Sequence, residues 1–287
     1  MSVLQHKVDF AVVLRVKHAN PNGDPLNGNR PRTDYNGYGE ITDVCLKRKI
    51  RDRLQEVSEQ GQQKYKIFVQ SDDRKIDDAK SLRDRAEKLL GEKFGTSETA
   101  KLAQEAWFDV RAFGQLFALR ARKNTIKGGA EEGDTGISIP IRGPVTVQSA
   151  FSVQPVEVTS TQITKSVSAD GDGSKRGSDT MGMKHRVDNG IYVFFGSMNP
   201  QLAEKTGFSD QDADAIKRVL PKMFENDASS ARPDGSIEVL KVIWWKHNSK
   251  LGQHSSAKVH RTLSVKPDGE IELASLDGLK PEIIDGF

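Results

Sequence analysis

Two long polar segments carry the side chains with the clearest chemical potential in this sequence. The first, "ANPNGDPLNGNRPRTDYNGYG" (19–39), is rich in Asn, Gly and Pro and contains Arg30 and Arg32. The second (159–190) is rich in Ser, Thr, Gly and Asp, and its cations include Lys165, Lys175, Arg176, Lys184 and Arg186. Such cations neutralise phosphates independently of base sequence, and glycines let backbone N–H groups approach them. The two segments therefore predict contact with a polyanion.

Composition limits the class of protein. The 287 residues fit one large domain with insertions or two small domains. There are 43 basic and 40 acidic residues, so the net charge of +3 does not by itself predict a nucleic-acid partner. Cys45 is the only cysteine, which favours a reducing cytoplasm. We expect neither a signal peptide nor a membrane span, and the spacing of the histidines predicts neither a zinc site nor another cofactor.

Alternating apolar residues predict several strands, the first of which leads into the polar segment 19–39. In "VDFAVVLRVK" (8–17) apolar residues alternate, which predicts a strand with one buried face and with Arg15 and Lys17 on the other. Residues 137–158 are predicted to be rich in β-structure, and the alternation over 145–154, which includes Gln148 and Ser149, predicts a long strand with one polar face. In "SIEVLKVIWWKH" (236–247), alternation buries Trp244 and turns Trp245 to the opposite face, towards a helix or a partner. A terminal hairpin is predicted over 257–273.

Helical patterns follow the first loop and precede the last strands. Thr42 is a predicted N-cap for a helix whose apolar stripe includes Leu46, Ile50 and Leu54. Its flank carries the cations Lys47, Arg48 and Arg51. Ser209 opens a second helix, which Pro221 should shorten. Residues 60–105 indicate short amphipathic helices in a peripheral insertion.

The order strand, helix, strand, strand, helix, strand predicts an α+β protein of the ferredoxin-like type, which RNA-recognition modules share. One face of the sheet would pack on two helices and leave the other free. Polar side chains on a strand can reach 2′-hydroxyls and base edges, so single-stranded RNA fits best. The aromatic run of an RNA-recognition module is missing, which makes Tyr192, Phe194 and the two tryptophans core or interface residues.

Four segments in order over about residues 8–200 carry a family resemblance: "NPNGDPLNG", "DVRAFG", "RGPVTVQSAFSVQP" and "KHRVDNGIYVFFG". Together they resemble the CRISPR-associated Cascade backbone subunit, the seventh Cas family of the RAMP superfamily, in the Csd type of type I-C systems. The resemblance implies an RRM-like palm over residues 1–287, a helical finger insertion at 58–135 and a thumb at 155–190.

The resemblance also implies partners. Copies would polymerise helically along the spacer of a CRISPR RNA, and each thumb would displace a base, leaving segments free to pair with target DNA. Other Cascade subunits would cap the guide's 5′ end, recognise the PAM or form the small-subunit belly. The backbone subunit itself would not be catalytic.

Carried onto this chain, the resemblance predicts guide contacts by loops, first helix, central strands and thumb. Those outside the thumb are Arg15, Lys17, Asn20, Asn22, Arg30, Arg32, Lys47, Arg48, Arg51, Arg111, Arg142, Gln148 and Ser149. Those in the thumb are Lys165, Lys175, Arg176, Met181, Met183, Lys184, His185 and Arg186, where a Met could wedge against an unstacked base. Alternatively, Arg111 is a buried pair partner, and Gln148 and Ser149 satisfy neighbouring strands.

Three other functions stay open. The main one is a RAMP-superfamily RNA endonuclease in which Asp24 or Asp34 positions a metal or a base, although both aspartates also suit ordinary turns. Another is guide processing by His185 in "MKHRV", for which the sequence shows no second acid–base group nearby. The third is a structural oligomer without nucleic acid, since near-equal charge totals fit head-to-tail association.

Overall fold

The computed structural model describes residues 2–59, 62–119, 137–164 and 181–287. Its strands are β1 Val8–Ala19, β2 Gly23–Asp24, β3 Arg30–Pro31, β4 Tyr38–Ile41, β5 Ser58–Glu59, β6 Gln62–Gln63, β7 Gly114–Leu119, β8 Ile137–Arg142, β9 Val145–Val147, β10 Ala150–Pro155, β11 Val158–Thr164, β12 Met181–Met198, β13 Ile237–Lys246, β14 Leu263–Val265, β15 Ile271–Leu273 and β16 Glu282–Asp285. Its α-helices are α1 Asp43–Glu56, α2 Leu82–Leu90, α3 Thr99–Ala106, α4 Phe108–Phe113, α5 Pro200–Thr206, α6 Asp210–Val219 and α7 Ser256–His260.

One large antiparallel sheet organises the molecule. Its strands follow the order β16-β13-β1-β12-β10-β4, and β9 and β11 also pair with β12. Every pair in this sheet is antiparallel. The prediction of a protein that combines helices with a large antiparallel sheet is therefore confirmed.

Both faces of the central strand β1 are buried. Phe10, Val12 and Leu14 contribute to the main core, which also contains the apolar stripes of α1 and α6. Ala11 and Val13 belong to a second core on the opposite face, with Trp245 among its members. The expectation that this second face would be free is wrong, because the C-terminal segment with α7, β14 and β15 covers it.

Local capping explains where the two main helices begin. Thr42 Oγ1 accepts a hydrogen bond from the Cys45 N–H at 3.3 Å at the start of α1, as predicted. Ser209 and Asp212 form a capping box at the start of α6. Pro221 lies in the short 3-10 turn Leu220–Lys222 that follows α6, so the predicted shortening is confirmed.

Two expected strands differ from the structure. The long strand predicted over 145–154 is broken into β9 and β10. Val147 pairs with Gly196, whereas Phe151 pairs with Val193, so one strand advances four residues while the other advances three. The extra residue makes a bulge, which interrupts a ladder locally. The terminal hairpin is present as β14 and β15, but its first residues form α7 instead of strand.

A third core holds the insertion that contains α2, α3, α4 and the β7–β8 hairpin. Phe68, Trp107 and Phe117 lie at its centre, with the Phe68 and Trp107 ring centroids 4.7 Å apart. The predicted short amphipathic helices are thus confirmed within the described residues. In the parts of the chain that the structure describes, every helix is too short or too polar to cross a bilayer.

Candidate nucleic-acid interface

Three segments meet at one end of the large sheet. Lys17 pairs with Asn189 and Ala19 with Val187, so the end of β1 lies beside the middle of β12. The backbone N–H of Lys17 donates to Ser236 O, and that of Asn20 to Ala231 O, each at 2.8 Å. We call the resulting surface the loop end; it comprises residues 15–39, 158–164, 181–189 and 226–238.

The β11–β12 hairpin projects from the loop end. Its pairs run from Val158 opposite Val187 to Thr164 opposite Met181. The ladder between β1 and β12 ends at Val187, so the outer pairs of the hairpin extend past β1. Met181 is 66% exposed and Met183 is 56% exposed. The hairpin thus presents apolar side chains that the core does not cover.

A groove lies where this hairpin meets the loop that follows β1. It is lined by Asn20, Asn29, Met183, Lys184, His185 and Ala231, among others. His185 Nδ1 lies 2.8 Å from the Ser160 hydroxyl, across the hairpin. Among the described residues this hydroxyl is the side-chain hydrogen-bond partner of His185. The groove therefore brings together two polar segments that are far apart in the chain.

Several predicted contact residues of the loop end have internal partners at the surface. Arg15 pairs with Glu238 at 2.9 Å, Arg32 with Asp24 at 3.3 Å, and Arg186 with Asp188 at 2.9 Å. A hydrogen bond from the Thr159 hydroxyl, and to a smaller extent one from Arg186, holds the pKa of Asp188 below its ordinary value. The pairs of Arg15 and Arg186 are exposed, and such pairs contribute little free energy, so these two arginines can exchange their partners for phosphates at small cost. The pair between Arg32 and Asp24 is part-buried.

Two other predicted arginines are held inside the fold. Arg111 makes a two-point pair with Asp212, at 3.0 and 2.8 Å, and lies over the Phe108 ring. Arg51 pairs at 2.9 Å with Asp109, which is 1% exposed. The alternative considered for Arg111, a buried pair partner, matches the structure. Both arginines join elements of the fold and are not free at the loop end.

Both predicted asparagines shape the first loop. Asn20 is 2% exposed, and its amide donates to Asn29 O at 2.6 Å. Asn22 Oδ1 accepts from the backbone N–H of Thr42 at 3.0 Å and from its hydroxyl at 2.9 Å. These bonds tie the loop to itself and to the N-terminus of α1, so contacts within the chain define the conformation of the loop.

A further set of predicted cations lacks such pairing. Within the described ranges, no carboxylate oxygen lies within 4.0 Å of the side-chain nitrogens of Lys17, Arg30, Arg48, Arg142 and Lys184. Lys17, Arg30 and Lys184 belong to the loop end. Lys17 lies in a shallow groove with Arg15, Asn189, Ser236 and Glu238. The loop end therefore carries uncompensated positive charge, which is what a polyanion requires.

The remaining predicted contacts are placed elsewhere. Lys47 pairs with Asp43 at 2.8 Å and lines a separate groove with Arg142, Phe113 and Thr146. Gln148 and Ser149 lie in the bulge between β9 and β10 rather than on the polar face of a continuous strand. Lys165, Lys175 and Arg176 lie outside the described residues. Most of the other predicted residues thus divide between the loop end, the groove that Lys47 and Arg142 line, and internal pairs.

The aspartates of the endonuclease alternative have roles in turns. Asp24 Oδ1 accepts from the Leu26 N–H at 3.2 Å and pairs with Arg32. Asp34 Oδ1 accepts from the N–H groups of Asn36 and Tyr38, each at 2.9 Å. The described part of the chain contains no group of three or more His, Cys, Asp or Glu residues placed to hold a metal ion.

Sequence reasoning missed the third segment of the loop end. Residues 226–236, "NDASSARPDGS", supply Ser230, Ala231 and Ser236 to the two grooves. Their composition is typical of a loop and could have drawn attention to them. The aromatic side chain of Tyr35, which is fully exposed, was also missed.

Comparisons with known proteins extend these observations. The family model described as "CRISPR-associated protein Cas7" matches residues 6–280. A protein of the same description from Haloferax volcanii is 27% identical over 254 residues, covering 83% of this chain and 69% of that protein. Two solved structures are also similar, at 16% identity each and with 83% of this chain covered. One is titled "CRISPR RNA-guided surveillance complex, pre-nicking" (75% of its chain, TM-score 0.48) and the other "CRISPR RNA-guided surveillance complex" (68%, TM-score 0.41).

The match to the family model spans nearly the whole chain, from the start of β1 to the segment before β16. It covers the sheet apart from its edge strand β16, together with the insertion and the loop end. This protein therefore belongs to the Cas7 family of CRISPR-associated proteins.

Proposed function

We propose that this protein is a CRISPR RNA-binding backbone subunit of a type I-C Cascade surveillance complex, which presents its guide for pairing with target DNA. The observation that supports this most directly is the loop end. There the exposed β11–β12 hairpin carries Lys184, the loop after β1 carries Arg30, and the end of β1 carries Lys17. None of these three cations has a carboxylate partner among the described residues. Family membership makes the CRISPR setting the natural one for this surface.

The fold supports a division into palm, finger and thumb. The order β13-β1-β12-β10, with α1 and α6 contributing to one core, matches a ferredoxin-like palm. The separate core of the insertion suits a finger within residues 58–135. The β11–β12 hairpin suits the base of a thumb within residues 155–190.

RNA would bind at the loop end through two kinds of contact. Lys17, Arg30 and Lys184 would neutralise phosphates, and Arg15 and Arg186 would exchange their exposed pairs for phosphates. Arg32 would add its charge from its part-buried pair with Asp24. Met181 and Met183 would supply an apolar wedge against an unstacked base. Because phosphate contacts carry no sequence information, one surface would serve guides of any spacer.

The proposed partners follow from this role. They are the CRISPR RNA, target DNA reached through the guide, further copies of this chain in a helical filament, and Cascade subunits that cap the guide, recognise the PAM or form the belly. We place the complex in the cytoplasm. The protein would act by binding rather than by catalysis.

Cleavage of RNA is the alternative function. Asp24 and Asp34 lie in the first loop, but their carboxylates already serve turns and an ion pair. Incubation of the assembled complex with complementary RNA and Mg²⁺ decides between the two functions. We expect intact RNA; a product ladder that disappears in Asp24→Ala or Asp34→Ala would establish cleavage.

The nucleic acid that co-purifies with the protein tests the main proposal. We expect short, discrete RNA of repeat–spacer length, released progressively as salt rises because counterion release weakens phosphate contacts. Protein that stays monomeric and free of RNA at low salt, even when mixed with a repeat–spacer transcript, would contradict it.

A further inference from the structure

His18 has a backbone conformation that glycine enters freely and other residues enter at a cost. It lies near the end of β1 with φ 52°, in the left-handed region. Val16 and Ala19, on either side, both belong to the main core, although a regular strand brings only residues an even number of positions apart to one face. His18 absorbs this change of face. Glycine would serve the same path at lower cost, so the backbone does not explain the imidazole ring.

The core does not explain the ring of His18 either. Its side chain is 57% exposed, and Nδ1 lies 3.5 Å from Asp188 Oδ1. An exposed contact of this length contributes little to stability. In the parts of the chain that the structure describes, the second ring nitrogen, Nε2, has no hydrogen-bond partner. A strained and exposed side chain that the fold does not need is a candidate for contact with a ligand.

Asp188 decides which nitrogen of His18 carries the proton. Hydrogen bonds from the Thr159 hydroxyl and from Arg186 hold the pKa of Asp188 below its ordinary value. At neutral pH this carboxylate therefore only accepts hydrogen bonds, and Nδ1 of His18 is the donor in their contact. In the neutral ring Nε2 then keeps a lone pair and acts as an acceptor.

The second histidine of the loop end has no such assignment. His185 Nδ1 lies 2.8 Å from the Ser160 hydroxyl, and a hydroxyl can donate or accept. Its partner therefore does not fix the position of the ring proton. His18 differs from His185 because a carboxylate faces one of its nitrogens.

An outward acceptor suits a different part of RNA from the neighbouring cations. Lys17, beside His18, offers donors, which match the acceptor oxygens of phosphates. A phosphate diester has no proton to donate to Nε2. The ribose 2′-hydroxyl has one, and it is the group by which a protein distinguishes RNA from DNA.

The position of His18 brings these two groups of RNA together. Arg186 lies 2.9 Å from the same Asp188 oxygen that His18 contacts. When Arg186 turns to a phosphate, as proposed above, the adjoining ribose would lie beside the His18 ring. Asp188 would then continue to hold Nδ1 of His18.

We propose that Nε2 of His18 accepts a hydrogen bond from a ribose 2′-hydroxyl of the bound guide. His18 is then a residue by which this protein prefers RNA to DNA. The inference rests on the proposed function, because it requires a guide strand at the loop end.

Two oligonucleotides of one sequence test this contact: a repeat–spacer RNA and its 2′-deoxy counterpart, which carry the same number of phosphates. His18→Gly should weaken binding to RNA about fivefold, the size of one neutral hydrogen bond, and leave binding to the deoxy strand unchanged. Glycine suits the left-handed backbone, so the urea midpoint should not fall. His18→Gln keeps an acceptor on its amide oxygen and should retain most of the preference for RNA.

Lys17→Met is the matched control, because loss of a phosphate contact should weaken binding to both strands alike. If His18→Gly also weakens both strands alike, or changes neither affinity, the inference is wrong. RNA binding by the unmodified protein would still support the proposed function in either case. If the unmodified protein binds neither strand, both proposals fall.

A third strand separates the hydroxyl from the shape of the sugar. RNA with 2′-fluoro groups keeps an RNA-like sugar pucker but has no proton to donate at this position. The unmodified protein should bind it about fivefold more weakly than RNA, and His18→Gly should remove that difference. Equal binding of the two strands by the unmodified protein would show that sugar shape is recognised instead, and would overturn the inference.

Discussion

The carboxylate of Asp9 lies 2.8 Å from Nε2 of His247, and both side chains are fully buried. His247 Nδ1 accepts from the Gln253 N–H at 2.9 Å, so Nε2 carries the proton that is donated to Asp9. Lys7 adds its ammonium at 3.1 Å. His260 of α7 also lies 3.6 Å from the Asp9 carboxylate, so the network attaches the C-terminal covering segment to the start of β1.

Removing one partner of this network should destabilise the whole fold. Asp9→Ala would leave His247 without its buried acceptor and Lys7 without its counter-ion, and we expect the free energy of unfolding to fall by about 3–5 kcal/mol. Urea denaturation measures the change. Lys250→Ala is the control, because it breaks an exposed pair with Glu204 and should cost less than about 1 kcal/mol. Equal losses in the two variants would contradict this role of Asp9.

Stability should fall when the protein is moved from neutral to mildly acidic pH. Burial lowers the pKa of His260 below its ordinary value, even though Asp9 opposes the shift. The unfolded chain therefore takes up a proton first, so stability is lost as pH falls below about 6.5. The urea midpoint should drop between pH 7.5 and 5.5, and less so in His260→Gln. His254→Gln serves as a second reference variant. If the urea midpoint of His260→Gln drops as far as that of the unmodified protein, His260 is excluded as the cause.

A second acid-dependent loss is expected at lower pH. Burial alone would raise the pKa of Asp9, but hydrogen bonds from His247 and Ser256, together with Lys7, outweigh it and lower the pKa. The stability that Asp9 contributes is present above its unfolded pKa, about 3.9, and is lost as pH falls through the lower folded value. Asp9→Asn should remove this part of the acid dependence in urea titrations below pH 5. An unaltered profile would contradict it.

Gly39 should not tolerate a side chain. A Cβ atom at this position would lie 2.1 Å from the hydroxyl of Tyr192, which is fully buried in the main core. We expect Gly39→Ala to lower the free energy of unfolding by about 1–3 kcal/mol, as overpacking does. Gly182→Ala is the matched control, since its Cβ would meet Ile163 at an ordinary 3.6 Å. Equal stability of the two variants would show that Tyr192 can move away without cost.

Binding of single-stranded RNA should depend on the unpaired cations of the loop end. Replacing Lys17, Arg30 and Lys184 together by Ala should flatten the slope of log K against log salt by about 2, at about 0.7 per lost phosphate contact. Filter binding at several salt concentrations measures the slope. The control replaces three exposed lysines elsewhere, Lys101, Lys205 and Lys280, which lowers net charge equally. If both triple variants change the slope alike, net charge and not the loop end governs binding.

Patterns of residues that are close together in the sequence determined many of the helices and strands of this protein. The alternation of β1, the Thr42 and Ser209 caps and the apolar stripes depend on residues a few positions apart, so they could be recognised directly. The two long polar segments stood out because they could not form a core. The family resemblance was recognisable for a similar reason, since short motifs survive as contiguous stretches of sequence.

Tertiary structure alone decided which cations remain free. Arg111 meets Asp212 across 101 positions of the chain, whereas Arg30, with the same side chain, meets no acid in the described residues. Likewise, the covering of the second sheet face and the groove between the first loop and the β11–β12 hairpin arise from segments far apart in sequence. The strength of an ion pair or an apolar contact depends on distance in space. The sequence specifies that distance only through the complete fold.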